Sequence, residues 1–329
     1  QLAWAVLDVL RAGLERGTRF PGPRICIPLD DAFWRADGHE RFLVHAASLA
    51  AEGGKVRFDL YREGDDRDDD APVLGEVSIN VARLAYEAVT EAGVIERIDG
   101  AVRLAAAAHE QRRQFLESLL LRGANGPLAL LAAPRGGPQF DLDHGVWRVS
   151  VVGLHEAAAW LAQTSLAPHA GDPASAALAT AQRIAEQVAD SCAAASNSTG
   201  LRIAGGQPAG GRAGGRMATL DAQLYPESAR AAVRNTPADQ ALCYAGGAAL
   251  PLDHGLNPVE QARREGLAHA HLPSGACTHI ALPDEPMRPA TIADFVRKIY
   301  FQTRNRAVVV TGDERPAASP GKPRKETSA

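Results

Sequence analysis

Thiols are the side chains of this sequence best suited to redox or nucleophilic chemistry, and there are four: Cys26, Cys192, Cys243 and Cys277. They lie far apart, with no Cys-X-X-Cys pair and no short Cys/His cluster, so the spacing offers zinc no ligand set. They read as free thiols of a reducing compartment, packed into the interior as unpaired cysteines usually are. His269, His271 and His279 are the nearest thing to an imidazole cluster. Their i, i+2 start in a loop, with no neighbouring cysteine or carboxylate, is unspecific, and no metal is assigned. The run 63–71 (EGDDRDDDA) sets six carboxylates around one arginine in nine positions. It repels itself and reads as an exposed loop, without the alternating ligands, central glycine and closing glutamate of an EF-hand. In 205–215 (GGQPAGGRAGG), six of eleven residues are glycine. Backbone there can approach a ligand closely, cross another segment or form a flexible surface loop. Neither the P-loop nor the dinucleotide spacing is present. Gly205, Gly206, Gly210 and Gly211 stand as candidate substrate contacts.

The elements that must position these groups alternate between helix and strand. Apolar residues at helical spacing predict helices over 2–16, 37–51, 173–195 and 291–301, the last opened by a capping Thr291. Residues 81–121 read as two long helices broken around Gly93 and Gly100, and a helix follows 147–153. Strands are predicted at 24–29, 56–61, 73–80, 147–153, 306–311 and toward the end of 268–282, where β-branched residues lie between turn formers. From Gly312 onward no apolar anchor remains, which predicts a disordered tail over 313–329 behind a single domain over 1–312.

Composition narrows the function classes. The 329 residues, 46% of them hydrophobic, suffice for one large α/β core. Lys and Arg total 35 against 39 acidic residues, and a net charge near −4 gives no basic field for a nucleic-acid backbone. The longest apolar stretch, 127–134, is too short to span a bilayer, and the first twenty residues carry no signal-peptide pattern, so a cytoplasmic location is expected. The chain opens at Gln1, directly inside an amphipathic segment, as an incomplete copy of something longer would.

Five separated segments then carry a family resemblance through their order and spacing. FPGPRICIPLDDAFW resembles the opening barrel strand of the anaerobic (class III) ribonucleoside-triphosphate reductases, with its following Asp and Trp. VLGEVSINVARLAYEA is similar to their Ile-Asn-Leu-Pro-Arg strand-to-helix junction, and WRVSVVGLHEAAAWL to their Gly-Leu-Val-Gly-Leu-Asn-Glu segment. RIAGGQPAGGRAGGRMATLDAQLYPE resembles the stretch in which a Thr-Pro-Ala-Glu-Gly loop precedes an Ile-Asp-Arg and a Tyr-Gly. LPSGACTHIALPDEP and DFVRKIYFQTRNRAVVVT look like the last barrel strands and helix. Together they span about residues 18–311.

The resemblance implies an α/β fold: a ten-stranded barrel of the glycyl-radical-enzyme type, whole or in part, made of two antiparallel five-strand halves around a finger loop. It implies reduction of ribonucleotides, a glycyl radical installed by an iron–sulfur/S-adenosylmethionine activase, zinc in a C-terminal segment, and a homodimer. Implied partners are ribonucleoside triphosphates and the activating enzyme. Asn80 matches the family's polar strand-end residue close to substrate, and Arg83 follows it; Asn80 is equally suited to capping a helix.

The radical machinery has no counterpart in the matching segments. The family's thiyl-forming cysteine precedes the Ile-Asn-Leu-Pro-Arg strand, where this chain reads GGKVRFDLYREGDD, and no cysteine lies between Cys26 and Cys192. The tail has neither the paired zinc cysteines nor the Gly-Tyr context of the radical. Gly210 stands where the loop glutamate would be. No catalytic residue, metal or cofactor is therefore assigned to the chain itself. Two function classes follow: a reductase subunit or fragment whose radical residues lie elsewhere, and a non-catalytic relative that binds nucleotide or protein. A pyruvate formate-lyase relative is a third reading and meets the same objection.

Overall fold

A computed structural model describes residues 2–13, 25–52, 54, 56–63, 71–132, 141–163, 175–232, 242–250, 255–282 and 287–311. The acidic stretch 64–70 and the tail 312–329 lie outside the described residues. Seven strands are present among them: β1 (Ile25–Leu29), β2 (Val56–Leu60), β3 (Val73–Asn80), β4 (Val146–Val152), β5 (Ile203–Gly206), β6 (Thr278–Ala281) and β7 (Ala307–Thr311). The helices before β4 are α1 (Leu2–Ala12), α2 (Asp31–Arg35), α3 (His39–Ala51), α4 (Val81–Ala88), α5 (Glu91–Leu120) and α6 (Ala129–Ala132). After it come α7 (Leu154–Ala162), α8 (Ser175–Thr199), α9 (Arg212–Leu224), α10 (Pro226–Ala232), α11 (Pro258–His269) and α12 (Pro289–Gln302).

Strands β3, β4 and β5 form a parallel sheet, and a second sheet runs β1-β2-β7-β6. In the second, β1 and β2 are parallel, as are β6 and β7, while β2 meets β7 antiparallel. A parallel bridge from Gly206 to Ser274, on the approach to β6, joins the sheets into one wall. The wall therefore reads β3-β4-β5-β6-β7, all in one direction, followed by an antiparallel β2-β1. The described residues thus hold five strands in one direction and two against them, part of the expected ten-stranded barrel.

Alternation along the strands separates a helix-covered face from a polar one. Val56, Phe58 and Leu60 of β2 face outward, packing with Leu29, Leu43, Ile292, Val296, Ile299, Val308 and Val310 beneath α3 and α12. Trp147, Val149 and Val151 of β4 do the same against Ile98, Leu154, Ile184 and Val188. Full burial of each such side chain contributes about 1.5–3 kcal/mol. The intervening residues line the other face. There Arg57 pairs with Asp59 at 2.5 Å, Ser78 meets Ser150 at 3.2 Å, and Arg148 donates to Ser274 Oγ at 2.9 Å and the Gln207 carbonyl at 3.2 Å.

Four expectations need correction. Cys26 is exposed, because the register that buries Ile27 and Leu29 turns it to the polar face of β1. The helix break after β3 falls at Val89, not at Gly93 or Gly100: Val89 adopts φ +62°, and the Thr90 side chain caps α5 by accepting from the Gly93 amide at 3.3 Å. α5 then runs unbroken through both glycines. The glycine run 205–215 is not one loop, since Gly205 and Gly206 end β5 while Gly214 and Gly215 lie within α9. α12, likewise, opens on Arg288 and Pro289 rather than on Thr291.

Candidate functional site

The polar face ends, at the C-terminal tips of β3 and β4, in a cluster built on Asp221. This residue of α9 is completely buried. Its Oδ2 accepts from Asn80 Nδ2 at 2.8 Å, and its Oδ1 accepts from Arg83 Nε at 2.7 Å and Nη2 at 2.5 Å. Asn80 is the last residue of β3 and the cap of α4, its Oδ1 accepting from the Arg83 amide at 3.1 Å. Capping and clustering are thus the two halves of one amide side chain: the oxygen starts the helix, the nitrogen holds the carboxylate. Residue i+3 of the same turn returns the Arg83 guanidinium to the same acid.

Arg83 commits Nε and Nη2 to Asp221 and leaves Nη1 with no hydrogen bond among the described residues. Together with Asn80 it lines one end of a groove of about 350 Å³ along the open edge of β3. Ser78 and Gln111 supply other polar groups, and Leu84, Leu104 and Ala105 supply apolar floor. Nonpolar walls with a few convergent polar groups suit a small ligand.

Behind the cluster lie three buried acids of raised affinity for protons. Burial pushes the Tyr86 and Tyr244 hydroxyls upward, with Asp221 adding to both shifts. Burial also pushes Glu156, at the start of α7, up to about 7, partly opposed by the Ala245 amide it accepts at 2.8 Å. The Cys243 thiol is raised by burial and then by Glu156, so it is a weak nucleophile.

The candidate glycines divide. Gly206 leaves no room for a ligand, because a Cβ there would stand 2.1 Å from the Ser274 carbonyl oxygen; its close approach is to another strand. Gly205 packs on Leu272 and Val188. Gly210 and Gly211 are exposed with open space around them, at the start of α9. Ten residues of helix separate Gly211 from Asp221, about 15 Å at 1.5 Å per residue. Asn80 and Arg83 are therefore brought together, and the glycines are not part of their cluster. Among the described residues no group of three or more His, Cys, Asp and Glu is placed to hold a metal ion, and no helix is long and apolar enough to cross a membrane.

Asp221, Glu156 and Tyr244 escaped the sequence reading. The first two sit inside LDAQLY and HEAAAWL, within segments that resemble the family's Ile-Asp-Arg and Gly-Leu-Val-Gly-Leu-Asn-Glu stretches, and the acid of each motif is the signal that could have found them. Tyr244 stands in an irregular stretch that has no periodicity to interpret.

The α/β wall, with helices on one face and polar residues on the other and its strands in two antiparallel sets, has the fold of solved anaerobic ribonucleotide reductases and of a glycyl radical enzyme. A solved glycyl radical enzyme from Archaeoglobus fulgidus superposes with a TM-score of 0.59 at 14% identity, over 94% of this chain and 48% of that one. An anaerobic ribonucleotide reductase gives a TM-score of 0.72 at 14% identity, covering 93% of this chain and 47% of its own. The Thermotoga maritima anaerobic ribonucleotide reductase, solved with dATP and CTP, gives 0.69 at 13% identity, over 93% and 49%. At these identities the likeness is one of fold. No curated protein matches. The family model for anaerobic ribonucleoside-triphosphate reductase matches residues 1–313, and the chain belongs to that family. It spans about half the length of the solved chains it resembles.

Proposed function

We propose that the chain binds a ribonucleoside triphosphate in the groove beside β3, with Arg83 meeting an anionic oxygen and Asn80 and Asp221 fixing its direction. The supporting observation is the Asn80–Asp221–Arg83 cluster itself. A buried carboxylate bound to two nitrogens of one guanidinium fixes the plane of Arg83, a residue that lines the groove, and Nη1 makes no hydrogen bond among the described residues. A pre-oriented guanidinium loses little rotamer freedom on meeting a phosphate. That the Thermotoga maritima relative was solved with dATP and CTP supports the choice of ligand class.

In this reading binding, rather than turnover by this chain alone, is the surviving function. Hydrogen abstraction needs a thiol at the finger-loop position, and no cysteine lies between Cys26 and Cys192. Cys243, the thiol near the cluster, is held protonated by burial and by Glu156. Among the described residues no group of three or more His, Cys, Asp and Glu is placed to hold zinc, and the chain spans about half the length of the solved chains it resembles. A thermal-shift titration with each ribonucleoside triphosphate tests the reading. Saturable stabilisation that Arg83→Gln weakens at least tenfold in Kd supports it. Equal stabilisation of both proteins would move the ligand elsewhere.

A further inference from the structure

Residues 242–250 cross the C-terminal end of β4 as a strap. The Gly153 amide donates to the Ala245 carbonyl at 2.8 Å, the Gly247 amide donates to the Val151 carbonyl at 2.8 Å, and Val152 and Gly246 form an antiparallel bridge. On its inner side Tyr244 packs with Ala82, Tyr86, Val152 and Ala218, directly over the buried carboxylate of Asp221. Against α9 the fit is close enough that a Cβ on Gly214 would stand 2.2 Å from the Tyr244 carbonyl oxygen.

Two further backbone amides of the strap end on buried carboxyl groups. The Ala245 amide donates to Glu156 Oε1 at 2.8 Å, and the Leu250 amide donates to Glu265 Oε1 at 2.9 Å. Glu156, on α7, is 2% exposed and Glu265, on α11, is 1% exposed. Neither forms an ion pair among the described residues. Glu265 accepts two more hydrogen bonds, from Gln261 Nε2 at 3.0 Å and Thr278 Oγ1 at 2.5 Å, while Glu156 Oε2 has no hydrogen-bond partner among the described residues.

Among the described residues no Lys or Arg forms an ion pair with either acid. Around Glu156 the facing groups are Tyr86 of α4 and Cys243 of the strap, with His155 next to it in the chain. Around Glu265 they are Gln261 and His269 of α11, Thr278 of β6 and Asn305. His269 is pushed down to about 3 by burial and by Arg306, Arg57 and His279, so it stays neutral at every physiological pH. Arg264 is turned to Glu260, at 2.9 Å.

We propose that Glu156 and Glu265 form a two-point, proton-sensitive clasp, which holds the strap shut over Asp221 when both acids carry a proton and loosens it when both ionise. Two amides of one strap, five residues apart, each meet a carboxyl group that is buried while the strap is closed. A buried carboxylate with no cation partner is costly, more so than the hydrogen bonds it accepts here offset, whereas its protonated form costs much less. Burial accordingly pushes both acids from an ordinary value near 4.5 up to about 7. Opening the strap admits water and returns them toward that ordinary value. The closed form thus binds more protons between these limits, and opening becomes easier as pH rises from about 4.5 to about 7. Outside that window the two forms carry the same protons and the dependence disappears. Glu156, Glu265 and the strap residues do not line the groove beside β3, so hydrogen exchange of 244–250 reads the strap and not nucleotide binding.

Hydrogen exchange tests it. Protection factors for the amides of 244–250, corrected for intrinsic exchange, are measured at pH 5, 6, 7 and 8 and compared with those of β4. The expected result is a loss of about tenfold or more in strap protection from pH 5 to 8, with β4 unchanged. In the variant E156Q/E265Q, whose amide oxygens can still accept but whose side chains cannot ionise, strap protection should be flat. Wild-type strap protection that follows β4 at every pH would overturn the proposal, as would the wild-type dependence persisting in the variant. Should the double variant fail to fold, E156Q alone must flatten the response at Ala245 while the dependence at Leu250 remains; a dependence retained at both amides would overturn the proposal.

Discussion

Asp221→Ala is the substitution whose cost the structure makes most specific. The carboxylate has no solvent exposure and accepts three side-chain hydrogen bonds, two from a guanidinium and one from a carboxamide. Hydrogen bonds to charged groups contribute about 1.5–3 kcal/mol each, and removing one member of a buried ion pair costs about 3–5 kcal/mol. Arg83, however, is 27% exposed in its side chain and can recover water on the groove side, which discounts the ionic part. The expected loss is therefore about 3 kcal/mol, at the low end of the buried range. Asn80→Ala removes the α4 cap, worth about 1 kcal/mol, and one of the three bonds to Asp221, for about 2 kcal/mol together. Because both substitutions delete the bond between the two residues, the double variant should cost about 1 kcal/mol less than the sum of the singles. Urea denaturation of the four proteins measures all of this. A loss below about 1 kcal/mol for Asp221→Ala, or a coupling indistinguishable from zero, would refute the claim that the carboxylate organises the strand ends.

Gly214→Ala should destabilise by about 2 kcal/mol, since its Cβ would stand 2.2 Å from the Tyr244 carbonyl oxygen, whereas Gly215→Ala meets open space and should stabilise by about 0.5–1 kcal/mol; thermal melts of the two distinguish them. Trp147→Ala empties the largest fully buried side chain and should cost about 4 kcal/mol in urea. Alkylation of the native protein near pH 8 should modify Cys26 first, being exposed, and Cys192 last, because burial both shields its thiol and pushes it up to about 12; mass spectrometry of the labelled peptides reports the order.

Strands and helices with strong periodicity were legible in the amino-acid order. VLGEVSIN was placed residue for residue, because alternation and a capping Asn80 coincide at its end. The break at Val89 was not, since a β-branched residue at φ +62° is held there by the packing of α4 and α5 against the sheet, which no local preference encodes. Gly93 and Gly100 attracted the break because glycine disfavours helices by only about 1 kcal/mol, a penalty that burial of Val94, Ile98 and Val102 overrides. The glycines of 205–215 were legible as places of close approach, yet what approaches Gly206 and Gly214 is Ser274 and Tyr244, both far along the chain. Asn80 and Arg83 could be named from a local pattern. Asp221, which gives them their geometry, lies 141 and 138 residues away, and a pairing at that separation has no local signature.

The most direct test of the account is a thermal-shift titration of the wild-type chain and of Arg83→Gln with the four ribonucleoside triphosphates. The account predicts a saturable rise in Tm for the wild type with at least one of them, and a rise in Arg83→Gln that needs at least tenfold more ligand. A wild-type Tm that does not move at millimolar triphosphate would contradict it, leaving the family's fold in this chain without the family's ligand.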